Sequence, residues 1–120
     1  MKEIYSPDRI AEMIMTIDPD FYLPSDEQRP IISIDTNPLE PAVVIAGAGS
    51  GKTETMAARV LYLVANQFAR PDQILGLTFT RKASGELNTR IRKRLRQFQQ
   101  AQDRAGIEHT FSSLETAVTT

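Results

Sequence analysis

The segment Val43 to Thr55, VVIAGAGSGKTET, constrains this chain more than any other stretch: a β-branched apolar run enters a glycine-rich loop that ends in Gly51-Lys52-Thr53. Val43, Val44 and Ile45 suit a buried parallel strand, and Met56, Val60, Leu61, Val64 and Phe68 then recur at helical spacing. Strand, loop and helix in that order read as a phosphate-binding loop, or P-loop. The chemistry follows from residue type. Backbone N–H groups must converge on phosphate oxygens, and glycine at Gly47, Gly49 and Gly51 lets the backbone come that close, with Ala46, Ala48 and Ser50 completing the loop. Lys52 offers a positive charge to the β and γ phosphates. Thr53 offers a hydroxyl to the Mg²⁺ that bridges them, and the helix behind points its N-terminal dipole at the same anion. The segment therefore predicts a nucleoside triphosphate site. The strict pattern G-x-x-x-x-G-K-S/T has glycine where this chain has Ala46, which must then sit at negative φ at the strand end.

A chain of 120 residues holds one small domain at most. Ser6 as N-cap and Pro7 at the first helical position open a helix with Ile10, Met13, Ile14 and Ile17 on one face, and Asp18-Pro19-Asp20 stops it. Ser25, with Gln28 three residues on, forms a capping box ahead of Ile31, Ile32 and Ile34, where Pro30 limits regularity. Asn37 to Pro41 is a loop. The P-loop helix is expected from Thr53 to about Ala69, broken by Arg70-Pro71-Asp72, and Ile74 to Thr80 is a second buried strand parallel to the first. A long basic helix follows from about Lys82 to Gln100 with Leu87, Ile91, Leu95 and Phe98 as its inward stripe. Glu115 to Thr120 reads as the start of a further strand. The chain thus divides into an acidic helical lead-in over residues 1–42, a strand–helix–strand–helix unit over 43–100, and a loop with the start of a strand over 101–120. The fold class expected is α/β, a parallel sheet flanked by helices.

The formal net charge of −1 conceals an asymmetry. Residues 1–42 are acidic, whereas Arg81, Lys82, Arg90, Arg92, Lys93, Arg94 and Arg96 face only Glu86 in residues 81–100, which suggests a polyanionic partner for that stretch. A basic helical face is more often simply solvated. No cysteine occurs, so disulfides, zinc–thiolate clusters and thiol catalysis are excluded within the chain, and His109 alone cannot build a multi-histidine metal site or a Ser/His/Asp triad. Neither a basic-then-apolar leader nor an apolar run of bilayer length is present, so a cytoplasmic location and no membrane partner are expected.

The segment Leu77 to Leu87, LTFTRKASGEL, resembles motif Ia of the superfamily 1 DNA helicases of the UvrD, Rep and PcrA type, where the usual form is LTFTNKAAxEM. The alanine-led AGAGSGKT is also that family's P-loop, and Leu23 to Ile32, LPSDEQRPII, resembles its Q motif. The three motifs stand in the family's order and together cover most of residues 23–95. The Arg81 variant, the GKTET ending and the LTFTRKASGEL form look most similar to the RecB-like or AddAB-type helicase–nuclease motors within that superfamily.

The resemblance implies a RecA-like P-loop motor domain, N-terminal part only, in an ATP-dependent DNA helicase that uses ATP and Mg²⁺. It implies that Gln28 reads the adenine edge, a role that competes with its place in the capping box, and that Lys52 and Thr53 serve phosphate and Mg²⁺. Glu54 departs from the pattern, since many members carry arginine there, and a carboxylate would not make the same phosphate contact. Thr78, Phe79, Thr80, Arg81 and Lys82 would meet single-stranded DNA. Phe79 could stack on a base, Thr80 could donate to a phosphate, and Arg81 and Lys82 could neutralise the backbone. A core position on a buried strand is the competing reading of Phe79. No Asp-Glu pair follows Lys52. The acidic pair, the arginine fingers and the second motor domain are therefore expected after Thr120, with a partner helicase–nuclease subunit as a further possible partner and no activity from this chain alone. Two other classes stay open, a small P-loop kinase and a non-catalytic nucleic-acid-binding module.

Overall fold

A computed structural model describes residues 3–33, 42–46, 50–68, 74–78, 81–109 and 117–119. Its elements are α1 (Pro7–Met15), α2 (Gln28–Ile32), β1 (Ala42–Ala46), α3 (Ser50–Ala65), β2 (Ile74–Thr78), α4 (Arg81–Arg104) and β3 (Ala117–Thr119). Helix α1 starts where its sequence says it should: Ser6 is extended, its hydroxyl accepts from the Arg9 N–H, and Pro7 takes the first helical position. The chain leaves α1 at Thr16, ahead of Asp18-Pro19-Asp20, and the Thr16 hydroxyl donates to the Met13 carbonyl at 2.6 Å.

Helix α3 is shorter at its end than periodicity predicts. Gln67 adopts φ of 62°, its N–H donates to the Val64 carbonyl, and the Phe68 N–H donates to the Leu63 carbonyl. This is a Schellman stop, with Phe68 folded back edge-on against Tyr62. Helix α4 ends in the same way, with Gly106 at φ of 69° and the Ile107 N–H on the Gln102 carbonyl, so it continues past Gln100 to Arg104. Glycine takes the left-handed position without steric cost, and Gln67 does not.

The fold-class expectation needs correction. Sequence patterning predicts a sheet as the central framework with helices covering it, but the described molecule is predominantly helical. Helices of nine, five, sixteen and twenty-four residues stand against strands of five, five and three. The strands pair in parallel in the order β1-β2-β3, with Val44 opposite Gly76 and Gly76 opposite Val118. The core among described side chains is helix on helix. Ile10, Met13 and Ile14 of α1 meet Val60, Leu61 and Val64 of α3 and Leu87, Ile91, Leu95 and Phe98 of α4, with Tyr5 edge-on to Phe98 at 5.2 Å. The reason is visible in α3, which is buried continuously from Arg59 to Asn66 and so presents apolar surface to helices on more than one side.

Polar groups tie the lead-in onto this core. The fully buried Asn66 side chain accepts from the Ile4 and Tyr5 N–H groups, both at 2.6 Å, and donates to the Tyr5 and Tyr62 carbonyls. All of its hydrogen-bonding capacity is used. Arg59 donates to the Ile32 carbonyl at the end of α2, and Arg104 donates to the Thr16 carbonyl at the end of α1. Both guanidiniums satisfy carbonyls that a helix end leaves open.

Candidate functional site

The P-loop elements fall in sequence as follows. Strand β1 ends at Ala46, and α3 begins at Ser50 with Gly51, Lys52 and Thr53 in its first turn. Gly47, Ala48 and Gly49 lie outside the described residues. Ala46 closes the strand, and Gln67 is the non-glycine residue at positive φ among the described residues. The first turn of α3 carries no carboxylate, which leaves its N-terminal dipole open to an anion.

Glu54, the departure from the family pattern, is accounted for by residues distant in sequence. Its carboxylate accepts from Arg94 Nε at 3.0 Å and is paired with the Arg90 guanidinium as well. Arg94 is buried, reaches Asp18 at 3.3 Å and Gln97 Oε1 at 2.8 Å, and lies over the Phe21 ring at 4.4 Å. Two cations therefore neutralise a carboxylate that would otherwise repel a triphosphate at the start of α3. Burial by itself raises the Asp18 carboxyl pKa, but the Asp20 N–H, the Arg94 guanidinium and the Gln97 amide outweigh it and carry it below the ordinary value.

Gln28 sits across from that turn. The Ser25 hydroxyl accepts from the Gln28 N–H at 3.2 Å, and Gln28 Oε1 accepts from the Ser25 N–H at 2.9 Å, so the capping box exists. The same amide also donates from Nε2 to Thr55 Oγ1 at 2.9 Å, linking the lead-in to α3. Arg29 holds the segment from the other side through Asp8 at 2.7 Å and through Asp26, and the hydrogen bond to Asp8 keeps its guanidinium pKa above the ordinary value. Phe21, Tyr22, Gln28, Glu54, Thr55 and Arg94 contribute to the lining of one open cleft whose remaining walls are largely apolar.

The DNA-contact set is divided. Thr78 is the last residue of β2, Phe79 and Thr80 lie outside the described residues, and Arg81 and Lys82 are exposed in the first turn of α4. Of the distal basic residues, Arg92, Lys93 and Arg96 are exposed, whereas Arg90 and Arg94 are held by Glu54. Reading the residues one by one missed Thr55, Arg90 and Arg94 as partners of Gln28 and Glu54. A signal for Arg94 existed: it lies at helical spacing from Leu87 and Ile91 and next to Leu95, inside the buried stripe.

Residues 25–118 match the family model for the UvrD/REP helicase N-terminal domain. The chain is similar to DNA helicase IV of Escherichia coli K12, 45% identical over 74 residues, covering 52% of this chain and 11% of that protein. It is similar to the ATP-dependent DNA helicase UvrD2 of Mycobacterium tuberculosis H37Rv, 42% identical over 67 residues, covering 56% and 9%. It is also similar to the ATP-dependent DNA helicase PcrA of Bacillus subtilis 168, 36% identical over 94 residues, covering 64% and 13%. The match thus spans about a tenth of the length of these relatives. With Gln28, the P-loop and the start of α4 all inside the matched span, this chain belongs to the UvrD/REP helicase N-terminal domain family.

Proposed function

We propose that this chain binds Mg²⁺-ATP at the N-terminus of α3 and contacts single-stranded DNA at the start of α4, as the N-terminal part of the first motor domain of an ATP-dependent DNA helicase. The observation that carries the reading is the carboxylate-free first turn of α3, holding Gly51, Lys52 and Thr53 directly behind β1, with Glu54 neutralised by Arg90 and Arg94. Those residues fit a magnesium-bound triphosphate. Backbone N–H groups and Lys52 would take the phosphate charge, and Thr53 would supply an oxygen to Mg²⁺, which would screen the phosphate charge when bound. Gln28 takes the base. The proposed phosphate-binding segment runs from Ala46 to Glu54 in the sequence.

For DNA, Arg81 and Lys82 occupy a helix start, where the dipole disfavours cations by about 0.3–1 kcal/mol each, and a phosphate alongside them reverses that cost. Thr78, Phe79 and Thr80 lead the chain into that turn. Placement toward the RecB-like or AddAB-type motors, a cytoplasmic setting, a partner subunit and the remaining motor parts belong to the same proposal. Among the described residues, no helix is long and apolar enough to cross a membrane.

Lys52→Ala tests the nucleotide site. Calorimetry with Mg²⁺-ATP is expected to show binding by the parent chain and its loss in the variant, with the helical circular-dichroism signal unchanged. Equal binding by both proteins would overturn the P-loop reading, and robust ATP turnover by the purified chain, abolished by Lys52→Ala, would replace it with a self-contained small NTPase.

A further inference from the structure

We infer that Arg90 is a phosphate-contacting residue delivered from α4, and that Glu54 is the residue that positions it. The inference rests on the phosphate-binding reading of the α3 N-terminus proposed above, and on where the two helices begin. Strand β1 precedes α3 and β2 precedes α4, and the two strands are parallel, so both helices start at the same end of the sheet. Glu54 is the fifth residue of α3. Helical side chains lean back toward the N-terminus, over the residues three and four positions earlier, which inclines the Glu54 carboxylate toward the turn at Ser50 and Gly51. Whatever Glu54 holds is therefore brought beside the turn assigned to the phosphates.

The two arginines on Glu54 are not equivalent. Arg94 is committed to packing: its side chain is 9% exposed, and it also meets Asp18, Gln97 and the Phe21 ring. Arg90 stands one turn nearer the start of α4, and its side chain is 44% exposed. Among the described residues its guanidinium is bonded to Glu54, through Nη1, whereas a guanidinium carries five N–H donors in a planar fork. A carboxylate on one part of that fork leaves the rest to a second anion, and phosphate oxygens match its geometry. The charges of Glu54 and Asp18 cancel those of Arg90 and Arg94, so Arg90 brings oriented donors rather than surplus charge. Without Glu54, a long side chain at an exposed helical position would spread over many rotamers, and fixing it would fall to the nucleotide.

Displacement of a fluorescent ATP analogue by Mg²⁺-ATP and by Mg²⁺-tripolyphosphate, which has no base, reads the phosphate contact. The proteins compared are the parent chain, Arg90→Ala, Glu54→Gln, the double variant Glu54→Gln/Arg90→Ala, and Lys52→Ala. Arg90→Ala is expected to weaken both competitors roughly tenfold, at the low end for a hydrogen bond to a charged group because the guanidinium is half solvated. Its urea midpoint should stay near that of the parent, since Arg94 still ties Glu54 to α4. The Glu54→Gln background separates contact from charge cancellation. There the loss of Arg90 is expected to weaken tripolyphosphate binding by roughly threefold or more. Equal binding by Glu54→Gln and the double variant would show that Arg90 only neutralises Glu54, and would overturn the inference. Parent-like affinity in Arg90→Ala, with binding lost in Lys52→Ala, would overturn the inference alone. Undiminished binding in Lys52→Ala would overturn it together with the P-loop reading on which it rests.

Discussion

At the start of α4, Arg81 and Lys82 stand exposed in a first turn without a carboxylate, whereas farther along the same helix Arg94 is buried between Glu54 and Asp18 and over the Phe21 ring. Both groups belong to one basic run in the sequence. The difference teaches that such a run is two populations, separated by which helical face each residue falls on. Arg94 shares the face of Leu87, Ile91 and Leu95 and is committed to joining α4 to α3 and to the segment after α1. Arg81 and Lys82 precede that face and keep their charge in water, where a polyanion can reach it.

Removing each population separately should break the two kinds of role apart. The largest effect is expected from Arg94→Ala, which leaves Glu54 and Asp18 without their shared cation and Phe21 without its lid. A loss of about 2–3 kcal/mol in urea unfolding is expected, below the range for fully buried pairs because both carboxylates stay partly solvated. Arg81→Ala or Lys82→Ala should stay within about 0.5 kcal/mol of the parent. Equal losses at both ends would erase the distinction.

A smaller effect concerns acid. The Asp18 pKa is lowered in the folded chain, so its stabilising contribution is complete above the ordinary carboxylate range and is lost as pH falls through the folded value. Unfolding midpoints measured from pH 7 downward should therefore fall more steeply in the parent than in Asp18→Asn once pH drops below about 4. Parallel curves would show that the Arg94–Asp18 contact contributes nothing to folding.

Local signals were legible where neighbours in sequence do the work. Ser6 and Pro7 start α1, Ser25 and Gln28 close their capping box, and Leu87, Ile91, Leu95 and Phe98 form the buried stripe of α4. What failed to show was non-local or conformationally costly. Glu54 finds Arg90 and Arg94 thirty-six and forty positions away, and Asn66 holds backbone sixty-one positions away. No periodicity encodes such pairings. The stop of α3 was missed because Gln67, rather than a glycine, takes the left-handed conformation, and the helical weight of the core was missed because apolar runs do not reveal what will cover them. Of the site, the capping role of Gln28 was readable from Ser25, but its bond to Thr55 was not, since that contact forms only when α3 is folded against the lead-in. Gly47, Ala48, Gly49, Phe79 and Thr80 lie outside the described residues.

The central claim, that the cations at the start of α4 are available to DNA while those on its buried face are consumed by packing, is tested most directly by the salt dependence of binding to a labelled oligothymidylate. Arg81→Ala and Lys82→Ala are each expected to lower the slope of log K against log salt concentration by roughly one, with thermal midpoints unchanged. Slopes equal to that of the parent in both variants would contradict it.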